Sequence, residues 1–162
     1  MSGGHSRIRD GHFTKPQFRE RICQSRLVQV FDGVDRGRDP LAEKALRLTP
    51  RGPFVDTLYL RIGTAHLPQS HYEDAIRWLK KARNATPWPA EVRSYLASAY
   101  ALTGETEHAA AELAEARRLS PDDRYSSIAR LRAVEHYGAS KIRDLREATY
   151  FAGLRKAGMP EE

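Results

Sequence analysis

The sequence predicts an all-α fold, a solenoid of antiparallel helix pairs, on three observations. Ala75, Leu79, Ala82 and Pro87 return 34 residues later as Ala109, Leu113, Ala116 and Pro121. Four residue types returning in one register mark a supersecondary unit that has been copied and stacked. Within each copy the apolar residues fall at helical intervals. Gly104 and the prolines at 50, 87, 89 and 121 then punctuate the chain where one helix should give way to the next.

The elements follow in order. Residues 1–18 are rich in Gly, His, Arg and Ser without an apolar period, and read as a disordered leader or a processing remnant. Residues 19–40 hold a weak helix, with Ile22, Leu27, Val28, Val30 and Phe31, and then a loop at Asp32-Gly33 and Gly37 to Pro40. From Leu41 to Pro50 an apolar stripe ending at a proline reads as the second helix of a degenerate first unit, 41–55, with Ala45 in the part of Ala82. The interval from Pro50 to Pro87 is 37 residues, which places an insertion at Arg51-Gly52-Pro53.

The second repeat spans about 56–89. Tyr59, Ile62, Gly63 and His66 lie on its first helix, and Ala75, Leu79 and Ala82 on its second, Tyr72 to Asn84. Pro68 should shorten or kink the end of the first helix. The third repeat, about 90–123, repeats the arrangement with Leu96, Ala97 and Tyr100, a turn at Gly104, and Ala109, Leu113 and Ala116. Small residues let two helix axes approach, while Leu and Tyr fill the space beside them. A new helix is expected from Pro121, with Ser120 and Asp123 as a capping box. Residues 122–158 read as a cap that includes a stripe of Tyr125, Ile128, Leu131 and Val134 up to Gly138. A last helix follows, about Lys141 to Ala157, stopped by Gly158 and Pro160. A terminal unit must be atypical, because one of its faces meets water.

Composition narrows the function classes. The 162 residues are 40% hydrophobic and 30% charged, an ordinary globular balance for one domain with a sizeable core. No run approaches the roughly 18 apolar residues of a membrane span, and Met1 to Thr14 carry no secretory pattern. Cys23 is the single cysteine, so an internal disulfide and a multi-cysteine metal site are excluded. A reduced, cytoplasmic protein is the expectation. The net charge of +6 sits at the ends: eight Lys/Arg against five Asp/Glu in residues 1–40, and eight against three in 124–156. Solvated helix faces account for this excess more simply than a nucleic-acid partner, which remains the rival reading.

The 34-residue period, with small residues at the first and third positions, resembles the tetratricopeptide repeat. The resemblance implies a right-handed α-solenoid with a C-terminal capping helix. Three stretches carry a narrower likeness: Tyr59-Leu-Arg-Ile-Gly-Thr-Ala-His66, Leu96-Ala-Ser-Ala-Tyr-Ala-Leu-Thr-Gly104 and Phe151-Ala-Gly-Leu-Arg-Lys-Ala-Gly-Met-Pro160. Together they resemble the C-terminal repeat region of bacterial adenylate/guanylate cyclase proteins that carry such repeats after a class III catalytic domain. The likeness covers roughly Leu41 to Glu162. It implies a regulatory or scaffolding region, since residues 1–40 are too short to supply the catalytic domain. No residue here inherits a catalytic role, and no cofactor is expected.

No chemistry announces itself. Phosphate-loop, dinucleotide and nucleophile-elbow patterns are absent from the sequence. Cys23 reads as an inert thiol. His66 and His71 straddle a turn without a third ligand at fixed spacing, so packing is favoured over a metal. Glu73, Asp74, Glu112 and Glu115 read as solvent-face acids that pair weakly with Arg77 and Arg117. In the repeat family the first helices line a concave wall. The resemblance therefore makes Leu60, Arg61, Thr64, Leu67, Ser94, Tyr95, Ser98, Leu102, Tyr125 and Arg132 the candidates for a protein-binding groove that takes a peptide or partner helix. Leu60, Thr64 and Ser98 stand where repeats that clamp an acidic chaperone tail carry Lys, Arg or Asn, so that clamp is not expected.

Overall fold

The computed structural model describes residues 40–85, 89–134 and 140–162. The leader, the weak helix of residues 19–31, Cys23, Pro87 and Gly138 lie outside the described residues. Every regular element among the described residues is helical. In chain order they are α1 (Pro40–Leu48), α2 (Val55–His66), α3 (Tyr72–Ala85), α4 (Pro89–Thr103), α5 (Thr106–Leu119), α6 (Ile128–Val134), α7 (Ser140–Arg146) and α8 (Ala152–Lys156). Short 3-10 turns at Leu67–Gln69 and Arg124–Ser126 follow α2 and precede α6. A π-turn, Glu147–Phe151, joins α7 to α8 in one helical run.

Helices adjacent in sequence pack against each other: α1 on α2, α2 on α3, α3 on α4 and α4 on α5. The physical basis is small-residue contact. Ala75, Ala82, Ala109 and Ala116 are fully buried, as are Leu79 and Leu96. A Cβ added to Gly63 would lie 2.8 Å from Leu79 Cγ, so glycine sets how close α2 and α3 come. Tyr59 on α2 meets Trp78 on α3 with ring centroids 5.8 Å apart, and the Lys81 ammonium lies 4.2 Å from the Trp78 ring centre.

The connections α2–α3 and α4–α5 are built alike. The α2 connection closes with Ser70 N–H to Leu67 C=O (3.1 Å) and His71 N–H to His66 C=O (3.2 Å). The α4 connection closes with Gly104 N–H to Ala101 C=O (3.3 Å) and Glu105 N–H to Tyr100 C=O (2.9 Å). Both are the paired bonds that satisfy the last carbonyls of a helix through a left-handed residue. Pro68 falls in the 3-10 turn after α2 has ended at His66, the shortening its sequence position predicts.

Helix α4 is the centre of the molecule. Eight consecutive residues, Ser94 to Ala101, are buried. A helix covered on all sides needs neighbours on all sides, and α4 has α3, α5 and the C-terminal run of α8 and its π-turn against it. The chain closes with Gly158 at φ 91°, and Met159 N–H returns to Leu154 C=O at 3.0 Å. Beyond that turn the Pro160 and Glu161 carbonyls accept from Ile128 N–H and Ala129 N–H, each at 2.9 Å, which satisfies the start of α6.

The expected helix from Pro121 is corrected. Ser120 ends α5, and α6 starts only at Ile128. The cap is Ser127, whose Oγ accepts from Arg130 N–H at 3.2 Å. Asp122 is the reason: its carboxylate accepts from the Ser120 hydroxyl, the Arg124 backbone N–H and the Arg124 guanidinium, and so holds a turn where a helix would begin. The Arg124 guanidinium is the main cause that brings Asp122 down to about 2, against the opposing effect of burial.

Candidate interaction surface

The inner face of α4 is where the C-terminal run docks, and it is built from few kinds of contact. Ser94 Oγ and the Tyr150 hydroxyl share a hydrogen bond at 2.7 Å, while Ser98 Oγ donates to the Tyr150 carbonyl at 2.9 Å. The Tyr95 and Tyr150 rings lie 4.3 Å apart. Arg146 is buried, donates to the Tyr95 hydroxyl at 2.8 Å, and holds its guanidinium 4.8 Å from the Tyr150 ring centre. A Cβ on Gly153 would lie 2.1 Å from Ser98 Oγ and 2.6 Å from the Ser98 carbonyl oxygen. Glycine is therefore what lets the two backbones meet. The π-turn inserts an extra residue, and both Tyr150 and Phe151 end up buried.

The ten predicted groove residues divide accordingly. Leu60, Thr64, Leu67, Ser94, Tyr95, Ser98 and Tyr125 are buried within the chain itself. Arg61 and Leu102 are half-buried, and Arg132 is exposed. Ser94, Tyr95 and Ser98 are brought together, beneath Tyr150 and Gly153. Thr64 turns its hydroxyl back to the Arg61 carbonyl at 3.0 Å. Tyr125 offers its carbonyl to Arg117 Nε at 3.0 Å, so Arg117 pairs with backbone and not with Glu115.

Charge in this region is largely internal. Arg132 and Arg155 both reach Glu147 and Glu161. Burial pushes the Glu147 carboxyl up, but hydrogen bonds and charge from Arg132 and Arg155 outweigh it and hold it below the usual range. Glu161, and to a lesser degree Glu147, raise Arg155. Arg124 pairs with Asp122 and Arg130 with Asp123. At least five of the eight basic residues of 124–156 are thus engaged with carboxylates or aromatic rings.

One acid departs from expectation. Glu112 is buried and bridges Arg83 of α3 and Arg93 of α4, the latter at 2.7 Å. It stands three residues after Ala109 and four before Ala116, on the same face of α5 as those buried alanines, and that spacing is the signal the sequence offered. Asp74 pairs with Arg77, and Glu115 with Arg118, at the surface as expected for such acids.

Residues the sequence reading missed are Arg146, Tyr150 and Gly153. The polar Ser94 and Ser98 in an otherwise apolar helix were the available sign that a hydrogen-bonding partner covers it. The chain matches no protein-family model and no curated protein. Among the described residues no helix is long and apolar enough to cross a membrane.

Proposed function

We propose that this chain is a non-catalytic protein–protein interaction or scaffolding module built of tetratricopeptide-type repeats in a solenoid. The reading extends to a cytoplasmic signalling role, as the regulatory portion or a detached relative of an adenylate/guanylate cyclase. The observation that carries the repeat reading is the pair of helix connections. Residues 66–71 and 100–105 make the same two backbone hydrogen bonds, 34 residues apart, around left-handed Ser70 and Gly104. The match of Ala75, Leu79 and Ala82 with Ala109, Leu113 and Ala116, all buried, supports it further.

The inner face of α4 accommodates a helix through serine hydroxyls, tyrosine rings and a glycine contact, and the chain's own C-terminal run fills it. A partner therefore meets the predicted groove residues that stay at least partly exposed, Arg61, Leu102 and Arg132, taken together as the rim. Affinity purification from the source cell, followed by reconstitution with purified partner, tests this. The partner should be lost on Arg61→Glu with Leu102→Glu while the helical circular dichroism is kept. Undiminished binding by that variant would remove the rim from the interface, and a chain that holds no specific protein at all would end the module reading.

The nucleic-acid reading is weaker, because Arg124, Arg130, Arg132 and Arg155 already pair with carboxylates of the chain itself. A DNA or RNA mobility shift that persists at moderate salt would revive it. Cyclic-nucleotide production from ATP or GTP with a divalent metal, above background, would overturn the non-catalytic assignment.

A further inference from the structure

The structure assigns a divalent transition-metal site, with zinc as its best-fitting ion, to His66, His71 and Asp74. The sequence placed two imidazoles across a turn and lacked a third ligand; the fold supplies it. One ligand atom from each of the three side chains lies within 4.8 Å of the other two. The two imidazole rings are 6.0 Å apart between centres. His66 is the last residue of α2, His71 immediately precedes α3, and Asp74 is in the first turn of α3.

The scaffold beneath them is fixed by backbone, which a metal site needs more than it needs proximity. His71 N–H is bonded to His66 C=O at 3.2 Å, Ser70 N–H to Leu67 C=O at 3.1 Å, and Ala75 N–H to His71 C=O at 3.0 Å. Both histidine backbones and the start of the helix that carries Asp74 are thus tied into one turn. Ligands of a tetrahedral zinc stand roughly 3.3 Å apart, from bond lengths of about 2.0–2.1 Å. Metal binding therefore requires the three donors to close in from 4.8 Å by side-chain rotation. Two imidazoles and one carboxylate suit a borderline cation better than calcium or magnesium, which take oxygen ligands. Three protein ligands leave a fourth position for water or for a donor from a partner.

Asp74 is engaged with Arg77, a side chain 65% exposed. An exposed pair of this kind contributes little, and a dication replaces the guanidinium readily. Metal binding would tie the end of α2 to the start of α3 and so brace one of the two repeat connections. The other connection has Tyr100 and Glu105 in the places of His66 and His71, so the site belongs to one unit only.

The test uses the full chain, titrated with Zn2+ against a chromophoric chelator near neutral pH, with thermal unfolding in parallel. One zinc per chain is expected, with a rise in Tm. His71→Ala, at an exposed position where the fold is preserved, should weaken binding by at least about tenfold and remove the Tm rise. Asp74→Asn should weaken it also, and Arg77→Ala should tighten it by freeing the carboxylate. Replacement of His5 and His12 together by Ala should leave the affinity unchanged. Equal zinc affinities in the wild type, His71→Ala and Asp74→Asn would overturn the assignment, as would a wild-type chain that takes up no zinc.

Discussion

Ser70 and Gly104, 34 residues apart, both adopt the left-handed backbone conformation, at φ 60° and φ 88°. They hold the same place in equivalent connections, and only one of them is the residue type that adopts this conformation without strain. Left-handed backbone costs an L-residue about 1–2 kcal/mol relative to glycine. Ser70→Gly should therefore stabilise the chain by roughly 0.5–1 kcal/mol, less the exposed hydrogen bond from Tyr72 Oη to Ser70 Oγ at 3.2 Å. Gly104→Ala should destabilise it by about 1–2 kcal/mol, although no neighbour lies within 4 Å of the added Cβ. Urea denaturation of the two variants checks both signs, and matching shifts in one direction would contradict the equivalence.

Ala109, on α5, is fully buried in the core. Ala109→Arg forces a long charged chain into a contact sized for a methyl group. The loss should be at least about 1–3 kcal/mol, the usual range for overpacking, with the burial of a charge added. Unchanged thermal stability would count heavily against the helix packing described here.

Much of the fold was legible because its signal is local and repeated. Ala75, Leu79 and Ala82 sit at helical spacing and reappear as Ala109, Leu113 and Ala116, so helix type and register could be read together. Gly104 and Gly158 marked real left-handed turns. The all-helical class followed from those features. Misreadings arose where a short polar side chain had two local options. Ser120 and Asp123 matched a capping pattern, yet Asp122 captured both Ser120 and Arg124 and moved the helix start to Ile128. The packing of the C-terminal run on α4 was illegible for another reason. Tyr150 meets Ser94 across 56 residues of sequence, and no period or spacing encodes that pairing.

Gly153 lies against Ser98 with no room for a side chain. The atoms that a new Cβ would strike include the Ser98 carbonyl oxygen at 2.6 Å and Cα at 2.9 Å, so rotation of the serine side chain does not relieve the clash. Gly153→Ala should lift the C-terminal run from α4 and cost about 1–3 kcal/mol. Ser98→Ala, which removes only the bond to the Tyr150 carbonyl, should cost about 1 kcal/mol. Near-UV circular dichroism of the Tyr95–Tyr150 pair should weaken in Gly153→Ala and persist in Ser98→Ala.

Glu112 joins three helices through two arginines. Glu112→Ala leaves Arg83 and Arg93 without their shared carboxylate, in side chains 31% and 24% exposed. Breaking a fully buried pair costs about 3–5 kcal/mol, and the partial exposure of both guanidiniums reduces the expected loss to roughly 1–3 kcal/mol. A double substitution of Arg83 and Arg93 by Met in the Glu112→Leu background should recover much of it, because no charge is then left buried. Failure of that triple variant to exceed Glu112→Ala in stability would show that the carboxylate matters for more than charge balance.

Acid should release the turn between α5 and α6. Asp122 is held down to about 2 from an ordinary 3.8, chiefly by the Arg124 guanidinium. A carboxyl whose folded value is depressed contributes stability above its unfolded value and loses it as pH falls through the folded one. The contribution is thus complete above about pH 5, falls progressively as pH drops, and is gone near pH 1. The Asp122 side chain is 43% exposed, and solvent screening limits its worth to under about 1 kcal/mol. Asp122→Asn should accordingly be less stable than the wild type at pH 6, with the gap closing between about pH 5 and pH 1. A gap that stays constant across that range would locate the stabilisation in the turn's geometry and not in its charge.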